Sequence, residues 1–468
     1  MATLNDIDHF VVLMLENRSF DNLLGHLYPG RADYEGLKGT ENNTDGKGNT
    51  RVVWSDPVSP QDSWLPTPDP GELFADINEQ LFGTANPGGG TPTMNGFATN
   101  YMKQGGAAEE IMHCFKPEQV PALSALARSY AVCDHWFAAA PCQTWPNRFF
   151  VHTATAGGYE NNSPAHFPYR MDTIFNVLDR KLPNGWEIYF HDFPQSLTLS
   201  RLWDHLDHFE IFDEFLADAK SGHLPSYSFI EPRYFADESW PNDMHPPHNI
   251  TYGDQLIAKV YNALLNSPCW EKTMLIVIFD EHGGCYDHVV PPSAVKPEDP
   301  RDGQAFAFDR YGVRIPAIVV SPFIKPGTVF RSPNGQTPFD HTSVIRTLRK
   351  RFGLSSPLTV RDAMAPDLES VLNLERPTID GREPVQALSA PASDDAVALD
   401  KARLAPLTDF QMAVNSTVAH LTPLIHGVSV ADHLQSLTSG RFKAAIPQVN
   451  SPSEVLPLIR NLIDKLLP

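Results

Sequence analysis

Residues 273–292 read Thr273-Met-Leu-Ile-Val-Ile-Phe-Asp280-Glu-His-Gly-Gly-Cys285-Tyr-Asp287-His288-Val-Val-Pro-Pro292. The apolar run at 274–279 is unbroken and rich in branched residues, which is the character of a strand buried on both faces in a parallel sheet. At its carboxyl end the chemistry changes: Asp280, Glu281 and His282 come together, Gly283-Gly284 allows a sharp turn, and Asp287-His288 follows. Open α/β sheets bind ligands beyond the carboxyl ends of their strands, so this stretch predicts an α/β fold with a site at 280–288. Acids after a strand also serve as helix caps, but two glycines follow here instead of a helix-periodic segment.

The chain has 468 residues, enough for one large catalytic domain and an appendage. Its 36 basic and 56 acidic residues give a formal charge of -20, which argues against nucleic acid as a partner and against electrostatic attachment to anionic lipid. No basic segment followed by an apolar core opens the sequence, and no uncharged apolar run reaches membrane-spanning length. With five unpaired-looking cysteines as well, the expectation is a cytoplasmic protein with reduced thiols and at most peripheral membrane contact.

Outward from the opening stretch, 7–15 is a second candidate core strand, and it too ends in polar residues, Glu16-Asn17-Arg18-Ser19. Glu16 and Asn17 present adjacent oxygens suited to a hard divalent cation, or equally a helix cap. Residues 28–100 are rich in Gly, Pro, Asn and Asp and predict a long, mostly irregular insertion with one short helix near 72–82. Trp54 and Trp64 are candidates for its wall against the site.

A helix at 117–129 and a strand near 130–137 lead to Cys142-Gln-Thr144-Trp-Pro146-Asn-Arg148. Pro146 fits a first helical turn, so Thr144 is expected at a helix N-terminus, as its cap or as a nucleophile where anions bind. Cys142 and Arg148 have the spacing of cysteine phosphatases, but Pro146 and Trp145 are poor residues for a phosphate-cradling loop. Further strands are expected at 186–190, 224–231 and 315–321, and a helix at 252–265. The loop Asn242-Asp-Met-His245-Pro-Pro-His248 carries two histidines stiffened by prolines, fit to ligate a metal, contact a phosphoryl oxygen or protonate a leaving group. His341 opens a later helix and is placed to reach the site, with Asp340 and Ser343 as capping residues. After about residue 377 the chain becomes Ala-, Ser- and Pro-rich, and then helical at 410–422 and 454–467.

Taken together, Glu-Asn-Arg-Ser-Phe-Asp at 16–21, Thr-Trp-Pro-Asn-Arg at 144–148, Asn-Asp-Met-His-Pro-Pro-His at 242–248, Asp-Glu-His-Gly-Gly-Cys-Tyr-Asp-His at 280–288 and Asp-His-Thr-Ser at 340–343 resemble the phosphoesterase family. That family holds bacterial and plant non-specific phospholipases C and acid phosphatases, within the alkaline-phosphatase-like superfamily. The resemblance runs over about residues 5–355. It implies a three-layer α/β/α core with a largely parallel sheet in a catalytic domain at 1–378, followed by a linker and helical appendage at 379–468 through which the chain could form an oligomer.

For the site, the resemblance implies a divalent metal held by Glu16, Asn17, Asp280, Glu281 and the hydroxyl of Thr144. Arg148, His245 and His248 complete the catalytic set, with His282, His288, His341 and Glu72 around it. Oxygen ligands favour Mg²⁺, Mn²⁺ or Ca²⁺, while the neighbouring histidines leave zinc open. Phospholipase-like relatives often carry His after Asp-Pro-Gly where this chain has Glu72, and a carboxylate there should shift substrate choice or swing out of the site. The expected activity is phosphoric ester hydrolysis through a phosphothreonine, of the phospholipase C type on a phosphate ester or phospholipid. The alternatives are a broad phosphomonoesterase using the same residues and a phosphate- or headgroup-binding protein without turnover.

Overall fold

Every residue of the 274–279 run is buried, and the run lies inside the main sheet, as a strand without a polar face must. The computed structural model describes residues 1–55, 62–182, 185–298, 306–333, 335, 337–378, 382–392 and 394–467. Their strands are β1 (His9–Leu15), β2 (Asn42–Thr44), β3 (Thr50–Val52), β4 (Ala131–Cys133), β5 (Trp186–Phe190), β6 (Phe209–Ile211), β7 (Tyr227–Glu231), β8 (Thr273–Phe279), β9 (Ala317–Val320) and β10 (Thr328–Phe330). Eight of them form one sheet in the order β10-β4-β9-β8-β1-β7-β5-β6. Only β9 runs antiparallel to its neighbours. The expected mixed α/β fold with a largely parallel sheet is therefore what the chain adopts.

Register is what builds the site. β1 pairs with β8 in parallel from His9 opposite Thr273 to Leu15 opposite Phe279. Both strands run out at the same level, and Asp280 donates its N–H to the Leu15 carbonyl at 3.1 Å. Glu16 and Asp280 therefore leave the sheet side by side. β7 flanks the other edge of β1 and ends in Glu231, a third acid at the same rim. The helix Ile250–Leu265 carries the chain from β7 across β1 to β8, the connection expected between parallel strands. Each fully buried aliphatic side chain of β8 contributes roughly 1.5–3 kcal/mol by its removal from water.

The 28–100 insertion is more ordered than its composition predicts. Its described residues include the β2–β3 hairpin and helices Phe74–Phe82 and Phe97–Lys103, which share a small apolar core with Met112, Tyr286 and Val313. Trp54 packs within that unit, edge-on to His113 at 4.7 Å. Trp64 instead meets Trp240 of the histidine loop at 5.2 Å, as a wall residue would. The strands β6 and β10, three residues each at the two edges of the sheet, are too short for a periodicity signal.

The helices Asp409–Ile425 and Pro452–Leu466 bury Phe410, Val414, Val455 and Ile459 in the same apolar core as the central sheet. The segment before them lies along helix Ile250–Leu265, where Asn262 and Gln255 donate to the carbonyls of Val385 and Leu388. No helix among the described residues is long and apolar enough to cross a membrane.

Candidate active site

Thr144 is the first residue of helix Thr144–Thr153, and Gln143, not Thr144, occupies the cap position. The sequence-based alternative of a capping role is thereby removed. The hydroxyl donates to Asn17 Oδ1 at 3.2 Å. Pro146 is accommodated because a first-turn residue has no intrahelical N–H bond to lose. Ahead of the helix, Asn147 Nδ2 donates to the carbonyls of Ala140, Cys142 and Gln143 and fixes the loop that delivers Thr144. The helix end is a weaker anion seat than the sequence suggested. Trp145 has already given its N–H to Asn162 Oδ1 at 2.8 Å, and Pro146 has none to give.

Around Asn17, the partner of Thr144, stand Glu281, Asp280 and Glu72, with Glu16 next to it in the chain, all at most 8% exposed. Asn17 is the hub. Its N–H donates to Asp280 Oδ1 at 2.9 Å, and its Nδ2 donates to Glu72 Oε1 at 2.6 Å and Glu281 Oε1 at 2.7 Å. To reach all of them Asn17 takes a left-handed backbone at φ 58°, a conformation asparagine tolerates better than most residues. Gly283 makes the contact between the two strand-end loops feasible. At φ 59° it passes so close that a Cβ there would stand 2.1 Å from the Asn17 carbonyl oxygen.

Arg148 is the cation facing this group, and it lies behind the acids at 0% exposure. Its Nε is 3.2 Å from Glu16 Oε1 and 3.7 Å from Asp280 Oδ2, while Nη1 is 3.7 Å from Glu231 Oε2 and makes no hydrogen bond. That is the position of a counter-ion. Asp280 Oδ2 is also buried without a partner. Burial pushes the Asp280 carboxyl up to about 7 against the pull of Arg148, and it raises Glu16 and Glu72 as well. Several buried acids against one guanidinium leave an uncompensated negative site with an orphaned carboxylate oxygen, which suits a divalent cation. Cys142, the alternative nucleophile, is fully buried, and burial pushes its thiol well above the usual value.

The histidines separate into distinct roles. His248 donates from Nδ1 to Asp243 Oδ1 at 2.7 Å, so Asp243 fixes its orientation, and its side chain is 17% exposed. His245 is more buried and turns Nε2 towards Glu72 Oε1 at 3.4 Å; burial and the adjacent His248 pull it down to about 4. His341 donates from Nε2 to the Asp280 carbonyl at 2.6 Å and supports that loop. His282 lies 3.1 Å from Glu281 Oε2 and donates to Gln80 of the insertion. His288 belongs elsewhere, bound to Asp21 Oδ2 at 2.6 Å. Glu72 does not swing out but is tied to Asn17.

Sequence reading passed over Asp243, Asp69, Glu231 and Tyr234. Glu231 carried the same signal as Asp280, an acid at the carboxyl end of a buried strand. Tyr234 donates to Glu231 Oε2 at 2.9 Å and lies under the Arg148 guanidinium at 5.4 Å. It is itself gripped by the later helix: Phe410 meets its ring at 4.7 Å, and Gln411 Nε2 donates to its carbonyl at 2.9 Å.

A sequence model of the phosphoesterase family matches residues 7–355. Non-specific phospholipase C1 of Arabidopsis thaliana is 40% identical over 395 residues, 79% of this chain and 71% of the relative. Phospholipase C B of Mycobacterium tuberculosis is 29% identical over 432 residues, 80% of this chain and 79% of the relative. A solved structure described as a protein in the alkaline phosphatase superfamily, from Vibrio parahaemolyticus, is 14% identical and covers 55% of this chain and 66% of its own, with a TM-score of 0.33.

Proposed function

Because the chain belongs to the phosphoesterase family, and is on that ground a phosphoric ester hydrolase, we propose that it cleaves phosphodiesters in the manner of a phospholipase C, with Thr144 as nucleophile. One observation carries this reading: the Thr144 hydroxyl is bonded to Asn17, the residue that ties together buried carboxylates a single guanidinium cannot neutralise. Glu16, Asn17, Asp280, Glu281 and Thr144 would hold the divalent cation, of the Mg²⁺, Mn²⁺ or Ca²⁺ kind by their oxygens. When bound, such an ion lowers the pKa of a coordinated hydroxyl and draws charge from a phosphoryl oxygen.

The chain's own residues do the rest. Asn17 holds the Thr144 oxygen in place, and the helix Thr144–Thr153 aims it. Thr144 Oγ1, once its hydroxyl proton has been released to solvent, attacks phosphorus in line and displaces the leaving alkoxide, giving a phosphothreonine. His248, oriented by Asp243, protonates that alkoxide and then takes a proton from the water that frees the enzyme. Arg148 stays behind the acids and limits their mutual repulsion.

The surplus of acid also bears on substrate class. A diester carries one negative charge and a monoester close to two near neutral pH, so Glu72, the carboxylate outside the proposed cation's ligand set, favours the diester over the monoester alternative. Side-by-side turnover of bis(p-nitrophenyl) phosphate and p-nitrophenyl phosphate tests this; preference for the monoester would reject the diester reading. Thr144→Ala should abolish turnover of both with the fold intact, and normal activity in that variant would reject the nucleophile.

A further inference from the structure

The loop 240–249 carries Asp243, His245 and His248, and its two halves are held differently. Glu16 donates its N–H to the Asp243 carbonyl at 2.8 Å and Arg18 donates Nε to the Met244 carbonyl at 2.7 Å, which ties the first half to the end of β1. In the half that carries His248 the contact from Arg18 is longer, 3.4 Å from Nη2 to the His248 carbonyl. That half has a second hold from outside. Asn249 donates Nδ2 to Asp394 Oδ2 at 2.9 Å, and Tyr252, in the first turn of helix Ile250–Leu265, donates its hydroxyl to the same oxygen at 3.0 Å. Trp240, where the loop begins, lies nearly parallel to the Tyr252 ring at 6.0 Å and donates Nε1 to the Asp394 carbonyl at 3.4 Å. One residue, 145 positions beyond Asn249, thus receives both ends of the loop.

Asp394 is itself fixed. The segment before it runs along the same helix, and Asp395 after it caps helix Ala396–Arg403 by accepting the N–H groups of Val397 and Ala398 at 2.9 Å. It stands outside the residues 7–355 that carry the family match. We propose that Asp394 is a positioning residue for proton transfer, holding the loop so that His248 Nε2 meets the leaving oxygen. The inference rests on the reading of His248 as the proton donor. Asp243 orients the imidazole within the loop, and Asp394 fixes the loop to the helix that follows it. A donor must stand within hydrogen-bond reach of the oxygen it protonates, and a displacement of about 1 Å can cost on the order of 10²-fold. The loss falls on leaving groups that need a proton: phenoxide does, whereas p-nitrophenolate departs with little help.

The test is leaving-group dependence. Full-length wild type, Asp394→Ala and His248→Ala are compared on bis(p-nitrophenyl) phosphate and diphenyl phosphate, two diesters of one shape, by kcat/KM, which reports the chemistry as far as release of the first leaving group. In Asp394→Ala the value for diphenyl phosphate should fall roughly tenfold or more while that for the nitrophenyl diester stays within about twofold. Asp394→Asn keeps an acceptor oxygen and should restore the wild-type ratio. Tyr252→Phe removes one of the two donors to Oδ2 and should show the same selectivity at smaller size; it carries the test if thermal melts find Asp394→Ala unfolded. Equal losses on both substrates, or none, in Asp394→Ala and Tyr252→Phe, with His248→Ala still selective, overturn the positioning role and leave the proton donor standing. A His248→Ala variant without selectivity rejects the proton donor and this inference together.

Discussion

Two acid clusters grow from the loops that follow β1 and β8, and they differ in whether the chain completes them. In the outer one, Arg314 donates Nε to Asp287 Oδ1 at 3.0 Å and Nη2 to Asp21 Oδ1 at 2.9 Å, and Nη1 serves the carbonyls of Glu35 and Asp134. Asp21 Oδ2 also takes the N–H and Nδ1 of His288. Burial works against a charged His288, but its hydrogen bond to Asp21 and the charges of Asp21 and Asp287 together outweigh it and hold the pKa above its ordinary value. Two acids meet two cations with all four carboxylate oxygens hydrogen-bonded, and His288 Nε2 is left without a partner, so this group is a structural tie despite a composition suited to metal. In the inner one, Arg148 reaches its acids only at 3.2–3.7 Å and both partners keep an unbonded atom. Completeness of pairing at the carboxylates, more than residue type, distinguishes a brace from a reaction centre.

The contrast is open to measurement. Asp280→Asn should lower kcat/KM by roughly 10³-fold or more, while the melting temperature in chelator stays level or rises, because a repelling charge has gone. Asp287→Asn should do the opposite. It leaves Arg314 partly unpaired in the core, at a cost of about 3–5 kcal/mol in a urea denaturation, and if Asp280→Asn proves the more destabilising of the two, the contrast is wrong.

A divalent cation at a hundred times its dissociation constant should stabilise the wild type by about 2.7 kcal/mol. Asp280→Asn should lose that gain and Asp287→Asn keep it; an equal gain in all three would place the ion elsewhere. The smallest effect is expected at His152, which belongs to neither cluster and supplies a baseline. It lies between the rings of Phe175 and Phe229, and both its nitrogens are without partners. Burial pulls it from 6.5 down to about 3, so the unfolded chain binds the extra proton between those values. Its contribution to stability is complete above pH 6.5 and is lost as pH falls towards 3. His152→Leu should therefore stabilise the protein more at pH 5 than at pH 8, by on the order of 1 kcal/mol, and equal shifts at the two pH values would refute the assignment.

Much of this was legible in the chain. The strands β1 and β8 announce themselves as unbroken apolar runs, and the polar residues at their ends sit where a parallel sheet puts a site. Less legible was anything that depends on direction across the sheet or on distant partners. The antiparallel course of β9 leaves no mark in four apolar residues. Arg148 and Arg314 look alike in sequence, and only their partners separate a shielded counter-ion from a closed tie. His288 read as a neighbour of the site because it follows Asp280 closely, yet the turn at Gly283-Gly284 sends it to Asp21. The insertion appeared irregular because its helices are short and its core small, and it nevertheless supplies Glu72 and Gln80 to the centre.

The grip of Phe410 and Gln411 on Tyr234 has a consequence in time. The hydrogen bond between Gln411 and Tyr234 spans 177 positions, and Gln411 lies downstream of every strand of the sheet, so synthesis from the N-terminus supplies it last. A nascent chain can lay down β1, β7 and β8 and still lack the brace under Arg148. Competence to turn over substrate should therefore arrive after the sheet itself, when the helix Asp409–Ile425 docks, so that a half-synthesised chain is folded in its middle but catalytically silent.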